Sequence, residues 1–174
     1  MAIYAKAPES KYVLAPEGLH AAVCCDVVDH GQVDTPFGKK YQIEICWQLE
    51  EAIDTDRGRI RPVVRQRYTN SLHEKAKLRG VLETWRGRKF TKDELGGFDL
   101  EKLLGASCQI QVIHNDSDDG QTFANVNAVI PLGKGMPKVT VDPAYVRRSL
   151  RDATPTQPSR TPTVDVPEDD PIPF

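Results

Sequence analysis

The chain lacks any apolar run long enough to cross a bilayer. Its longest runs, residues 21–25 and 128–132, fall far short of the roughly 20 residues that a spanning helix needs. Residues 1–10 show no charged start followed by a hydrophobic stretch, so neither a secretory signal nor a transit peptide is expected. We therefore expect a cytoplasmic protein with one sizeable core and an appendage.

Cysteine is scarce, and its spacing excludes two common kinds of site. The four cysteines include an adjacent pair but no C-x-x-C motif, so neither a disulfide framework nor a zinc site is expected. Free cysteine often packs as a small hydrophobic residue. We expect all four to be buried or half-buried strand residues: Cys24, Cys25, Cys46 and Cys108.

Motifs for catalysis are also missing. His73 and Glu74 begin like a metalloprotease helix, but Lys77 stands where the second His is required. Residues 115–120 fit the first half of a calcium loop, yet Val126 occupies the position of the bidentate Glu. The sequence has no Gly-rich phosphate loop either. We therefore expect no cofactor and no enzymatic activity.

Acidic and basic residues are unevenly distributed. The chain holds 23 Lys and Arg against 25 Asp and Glu, but the segment from Asp152 onward has five acids and one base, which leaves 22 bases and 20 acids before it. That segment also has six of the 13 prolines and almost nothing that could form a core, so it is expected to be extended and disordered. A weakly basic body with an acidic tail favours a polyanion-binding domain.

Alternating hydrophobic patterns predict five β-strands. Residues 41–49 alternate throughout, with Tyr41, Ile43 and Ile45 on one face, which is typical of a half-buried strand. The other strands are expected at residues 19–28, 59–69, 108–114 and 122–130. Glycine and proline predict a long loop between strands one and two, and hairpin turns are expected at residues 54–58 and 115–120.

The pattern changes to a helical period between the third and fourth strands. An amphipathic helix is indicated by Leu78, Val81, Leu82 and Trp85. Ser71 and Glu74 predict a capping box at its start, and Gly87 predicts its end. Two shorter turns are expected, one opened by Thr91 and one at residues 99–104.

Three strands, a helical connection and two further strands are the layout of a mainly β, five-stranded antiparallel OB-fold barrel with a helical insert between strands three and four. In that fold, the face of strands two and three and the adjoining loops bind oligonucleotides. Fold alone does not establish function, which depends on particular side chains.

Five arginines occupy odd-numbered positions within eleven residues, so on one extended strand they would all project from the same face: Arg57, Arg59, Arg61, Arg65 and Arg67. A solvated outer face is the plain alternative. However, like charges repel at this spacing, and the neighbouring strand offers no comparable run of acids. We therefore expect a bound polyanion, with Lys39, Lys40 and Gln42 adding donors to the same surface.

Single-strand binding also uses aromatic rings on which bases stack. The candidates are Phe37, Tyr41, Tyr68 and Phe123, and Phe37 is favoured because it lies in a short segment with no core to bury it. Trp47 and Trp85 follow the apolar period of their elements and are expected in the core. With 7% aromatic residues, stacking can involve few bases.

The last seven residues read EDDPIPF and resemble the acidic tip, ending Asp-Asp-Asp-Ile-Pro-Phe, of bacterial single-stranded-DNA-binding proteins. In that family the tip recruits replication, recombination and repair proteins. Physically, the terminal Phe ring and carboxylate suit a pocket lined by basic residues. The expected partner-binding residues are Asp169, Asp170, Ile172, Pro173 and Phe174. The sequence departs from the family at Pro171, where a third Asp would stand.

The body resembles phage-encoded single-stranded-DNA-binding proteins, a divergent OB-fold family, over roughly residues 14–135. The segment SLHEKAKLRGVLETWRGRKF, residues 71–90, is the most specific part of this resemblance. The resemblance implies sequence-independent binding of single strands during phage replication, in the cytoplasm of a bacterial host.

These observations predict three regions: an OB-fold single-stranded-DNA-binding domain at residues 1–138, an extended Pro-rich linker at 139–166 and an acidic partner-binding tip at 167–174. The expected function is non-enzymatic binding of single-stranded DNA in phage replication and recombination, with the tip recruiting host replication and repair proteins. One alternative is an OB-fold adaptor that binds those proteins and hardly touches DNA. Another is a nuclease that acts on single strands.

Overall fold

A computed structural model of the chain describes residues 13–56 and 58–151. They form a mainly β structure built on a five-stranded antiparallel sheet, with strand order β5-β2-β1-β6-β7, and a separate hairpin of β3 and β4. The strands are β1 (Gly18–Thr35), β2 (Gly38–Leu49), β3 (Ile53–Thr55), β4 (Gly58–Ile60), β5 (Val63–Thr69), β6 (Ser107–Asp116) and β7 (Thr122–Ile130). The helices are α1 (Lys77–Arg86), α2 (Lys92–Leu95), a 3₁₀ turn (Leu100–Leu103) and α3 (Arg148–Arg151).

Strand β1 is much longer than the sequence pattern predicts. Its 18 residues pair with β6 at the start and with β2 from Ala22 to Thr35. The expected long loop between strands one and two is therefore wrong, because only Pro36 and Phe37 separate β1 from β2. Gly31 does not end the strand: it has a φ of 63° and follows a register shift, so its flexibility serves a β-bulge.

Strand β2 confirms the predicted alternation. Ile43, Ile45, Trp47 and Leu49 face the core and are at most 2% exposed. A half-buried strand would leave its opposite face to solvent, yet Glu44 and Gln48 on that face are buried beside Cys46, for which burial was expected. Gln48 explains part of this difference, because its side-chain oxygen accepts a hydrogen bond of 2.8 Å from the backbone of Asp142, which lies far along the chain. The outer face is therefore partly covered by the C-terminal segment.

Strands β5 and β7 are the two edges of the sheet. In the described ranges no backbone ladder joins them, so the five strands form an antiparallel sheet that is not closed into a barrel. The two edges nevertheless lie close together, and the Val126 N–H donates to Gln66 Oε1 over 3.4 Å. The closing hairpin of β6 and β7 lies where the sequence predicts it, with its turn at residues 117–121.

The connection between β5 and β6 contains the predicted amphipathic helix, with a different start. Leu78, Leu82 and Trp85 are buried, and the Trp85 ring lies 6.0 Å from that of Trp47, so both tryptophans belong to the core as expected. Gly87 ends α1 in the left-handed conformation, also as expected. The predicted capping box is wrong, because α1 begins at Lys77 and its N-cap, Ala76, makes no side-chain bond. Ser71 instead accepts from the backbone of His73 in a local turn.

The shorter turns follow the sequence closely. Thr91 caps α2 by accepting a hydrogen bond from the Glu94 backbone, and Asp99 caps the 3₁₀ turn in the same way. The buried Arg86 guanidinium joins this region to α1, since it pairs with Glu94 and lies 4.6 Å from the centre of the Phe90 ring. In the described part of the chain, no helix is long and apolar enough to cross a membrane.

All four cysteines are buried and unpaired, which confirms their expected placement in or beside the core. Burial raises the pKa of the Cys25 thiol to about 11, although a hydrogen bond with Tyr145 opposes the shift. Burial also raises the pKa values of Cys24, Cys46 and Cys108. A thiol held protonated is a poor nucleophile, so these residues serve packing.

Residues 139–148 form a strap across the outside of the sheet, whereas the sequence predicts an extended linker from residue 139. Val139 is 4% exposed and bonds through its backbone to Ser107. Further along, Arg147 Nε donates to the buried Asp26 carboxylate over 3.1 Å, and the Arg148 backbone donates to it over 2.7 Å. The packed part of the chain therefore extends at least ten residues beyond the expected boundary at 138.

Arg147 holds the strap, so its removal should weaken the fold. In Arg147→Ala, Asp26 keeps the backbone donor of Arg148 but loses a charged one, and we expect the free energy of unfolding to fall by about 1.5–3 kcal/mol. Urea denaturation measures this change. Arg148→Ala is the matched control, because its contact with Asp26 comes from the backbone and survives. Equal stability of the two variants would show that the strap is not held this way.

Candidate nucleic-acid interface

The predicted basic strand is interrupted. Residues 61 and 62 belong to no strand and separate β4 from β5, so the expected single strand at residues 59–69 is wrong. Pro62 accounts for the break, since proline cannot donate to a sheet ladder. Arg59 consequently lies on the small β3–β4 hairpin, opposite Asp54, away from the ladder that carries Arg65 and Arg67. Arg57 lies outside the described residues.

Arg61 has a structural role in place of the expected ligand contact. Its Nε donates to the Leu49 carbonyl over 2.7 Å, and its Nη1 donates to the Thr140 carbonyl over 2.8 Å. The second of these bonds ties the strap to the sheet. Two of its three nitrogens, Nε and Nη1, are therefore engaged by backbone carbonyls, which favours a structural role over the DNA contact expected from the sequence.

Arg65 and Arg67 do project from the outer face of β5, but an acid lies beside them. Arg67 faces Glu44 across the ladder, and its Nε is 3.4 Å from Glu44 Oε2. The same oxygen is 3.5 Å from His30 Nε2. β2 thus has no run of acids, as expected, but its single acid, Glu44, relieves part of the charge of Arg67. The Arg67 side chain is still 54% exposed, so it can also reach a ligand.

The four candidate stacking rings divide into three exposed and one buried. Phe37 is 89% exposed, Tyr41 is 58% exposed and Phe123 is 49% exposed. Tyr68 is only 3% exposed and packs in the core, so its assignment as a stacking residue is corrected. Tyr68 lies four residues after Val64 on β5, so the two side chains share the inward face of the strand. The two-residue period of a strand already predicts this burial.

The end of the β1–β2 hairpin, residues 31–41, extends beyond the rest of the sheet; we call it the β1–β2 ribbon. β6 pairs only with residues 18–23 of β1, and the ladder with β5 ends at Gln42 of β2. At the tip the Thr35 hydroxyl donates to the Gly38 carbonyl and accepts from the Phe37 N–H, which fixes the turn. Gly38 has a φ of 101°, which favours glycine.

The ribbon presents rings and cations together. Lys39 and Lys40 are both exposed, and they lie between the exposed rings of Phe37 and Tyr41 along the chain. Stacking faces and cationic donors are the two components that single-strand binding requires. The structure thus brings together three of the predicted residues, Phe37, Lys39 and Lys40, at a place where the sequence predicts an irregular loop.

A shallow depression adjoins the ribbon, and we call it the cationic depression. Its lining includes Lys40, Gln42, Arg67, His73, Lys75 and Lys77, from β2, from β5 and from the segment leading into α1. Sequence reasoning assigned no role to the last three residues. The sequence signal was the pair of lysines beside the start of α1. It was missed because the expected capping box placed the start of the helix at Ser71.

The remaining predicted residues are separate from this surface. Phe123 lies on β7, opposite Asn115 in the closing hairpin. The partner-binding residues of the acidic tip lie outside the described residues.

No protein-family model matches the chain, and no curated protein sequence matches it.

The structural role of Arg61 leads to a direct test. Arg61→Gln removes two hydrogen bonds to carbonyls and should lower the free energy of unfolding by about 1–3 kcal/mol. Lys40→Gln, at an exposed position on the ribbon, should change it by less than about 0.5 kcal/mol. Thermal or urea denaturation of both variants distinguishes the two residues. An Arg61→Gln protein as stable as Lys40→Gln would return Arg61 to the candidate binding residues.

Proposed function

We propose that this protein binds single-stranded DNA without sequence preference and acts in phage DNA replication and recombination. The observation that carries the proposal is the β1–β2 ribbon, where two exposed lysines lie along the chain between two exposed aromatic residues. Every base has a π-face and every nucleotide a phosphate, so a surface of rings and lysines binds strands of any sequence. Reading a sequence would instead need donors and acceptors directed at base edges.

The sheet topology supports the further proposal that the domain is a divergent OB fold. Five antiparallel strands in the order β5-β2-β1-β6-β7, with a helix between β5 and β6, have the connectivity of an OB barrel opened between its two edge strands. In such folds, the hairpin of strands one and two borders the oligonucleotide site. The β1–β2 ribbon occupies that position in this chain.

The proposed mechanism combines electrostatic attraction with stacking. Lys39, Lys40 and Arg67 neutralise backbone phosphates and release the counterions condensed on them, while Phe37 and Tyr41 stack on bases. If these cations neutralise about three phosphates, log K should fall with log salt at a slope near −2. Arg67 contributes less than a free cation, because Glu44 already compensates part of its charge.

For the acidic tip, the proposal rests on sequence alone. Residues 168–174 end in Ile-Pro-Phe after three acids. Such a segment suits a host replication or repair protein whose pocket has an apolar floor surrounded by Lys and Arg side chains. DNA binding and partner binding would then be carried by different parts of the chain.

Phe37 provides the most direct test of the ribbon. Stacking on one base is worth about 1–3 kcal/mol, so Phe37→Ala should weaken oligo-dT binding by roughly 5- to 150-fold. Phe37→Trp keeps a π-face and should retain affinity. Phe37→Leu keeps an apolar side chain without one and should behave like Phe37→Ala. Fluorescence anisotropy of labelled oligo-dT, RNA and duplex DNA measures all four proteins.

Three results would contradict the proposal or its mechanism. Wild-type protein that fails to bind oligo-dT at low salt would exclude single-strand binding and favour the adaptor. Magnesium-dependent shortening of the oligonucleotide would favour the nuclease. If Phe37→Leu binds as tightly as wild type, the ring acts by burial and the stacking mechanism is wrong.

The tip is tested separately by deleting residues 167–174. The deleted protein should still bind oligo-dT but should lose binding to purified host replication and repair proteins that recognise the bacterial tip. A Phe174→Ala variant should reproduce the loss of partner binding, since the ring fills the pocket. Undiminished partner binding by both variants would contradict the proposed recruitment.

A further inference from the structure

The cationic depression is continuous with the β1–β2 ribbon through Lys40, which belongs to both. Its lining joins Lys40 to Gln42 and Arg67 of the sheet and to Lys75 and Lys77 at the start of α1. A strand held on the ribbon can therefore continue in one of two directions. It can follow the arginines of β5 towards Arg65, or it can turn across the depression towards α1.

The route along β5 is obstructed, because the outer face beyond Arg67 is occupied by other groups. Arg65 lies opposite Cys46, which is buried, and Gln48, the next outward residue of β2, bonds to the strap. Arg61, further along the same line, has two donors directed at carbonyls. The strap therefore limits how far a ligand can extend in that direction.

The depression, in contrast, is open and cationic. Four permanent cations line it, with the imidazole of His73 beside them, and no carboxylate is among its lining residues. Glu44 compensates Arg67, but Lys40, Lys75 and Lys77 are exposed and make no ion pair in the described part of the chain. Cations gathered without acids raise the local concentration of an anionic ligand.

The lysines at the start of α1 act against the stability of that helix. The positive end of a helix dipole favours acidic residues, yet the first turn of α1 contains none, and its N-cap provides no side-chain bond. Lys75 and Lys77 flank this uncapped end. Helix stability therefore does not explain them, whereas an anion in the depression does.

We propose that backbone phosphates of the single strand lie in the cationic depression, so that the polynucleotide runs from the β1–β2 ribbon across Arg67 to Lys75 and Lys77. This inference rests on the proposed function and adds the direction of the strand and two contact residues. The interface consequently includes the start of α1 as well as the sheet.

The test compares two double variants with the same change of charge in the full-length chain. Lys75→Gln with Lys77→Gln removes the two cations at the depression, and Lys89→Gln with Lys92→Gln removes two exposed cations beyond the other end of α1. Oligo-dT affinity is measured by anisotropy across a series of salt concentrations. Each lost phosphate contact flattens the slope of log K against log salt by about 0.7.

We expect the first double variant to flatten the slope by about 1.4 and to weaken binding roughly tenfold or more at moderate salt, while the second stays near wild type. The thermal midpoint of the Lys75→Gln, Lys77→Gln variant should be unchanged or higher, because the two removed charges oppose the helix dipole. If wild type binds oligo-dT and the two double variants have equal slopes, this route is wrong and the proposed function stands. If wild type does not bind, both fail.

Discussion

The length of β1 is the constraint on which the rest of the structure depends. Eighteen residues of uninterrupted strand would span about 60 Å if straight, more than a domain of this size can cover. Two register shifts interrupt the ladder with β2, and bulges of this kind bend and twist a strand. The first part of β1 consequently pairs with β6, the middle lies at the centre of the sheet and the last part extends outward as half of the β1–β2 ribbon. The proposed interface exists because this strand continues where a loop was expected.

Features controlled by local periodicity could be predicted from the sequence. The alternation of β2, the apolar face of α1 and the left-handed glycine at its end all follow from side-chain pattern alone. Features controlled by distant partners could not. Gly31 and Pro36 have the composition of a loop, but a bulge uses the glycine and a tight turn uses the proline. The strap has no periodic signal, because its hold on the sheet comes from Asp26, Ser107 and backbone carbonyls.

Contacts with distant partners also determine which candidate binding residues stay exposed. Arg61 and Arg147 have planar, multiple donors that suit carbonyls and carboxylates, and the fold uses both to fasten the strap. Tyr68 follows the inward parity of Val64, so its burial was available from the pattern that predicted the strand. The lysines keep their charges in solvent at the ribbon and at the start of α1. A count of basic residues did not separate these roles, because fastening and ligand binding use the same residue types.

The most direct measurement is photochemical crosslinking of bromodeoxyuridine-containing single-stranded DNA to the full-length protein, followed by peptide mapping of the attachment sites. Photoexcited bromouracil reacts with the aromatic rings that stack on it. We therefore predict adducts at Phe37 and Tyr41 of the β1–β2 ribbon, and we expect excess unlabelled oligo-dT to abolish them. Adducts that excess oligo-dT abolishes but that lie only outside the ribbon and the cationic depression, for example on the β3–β4 hairpin, would contradict the proposed interface.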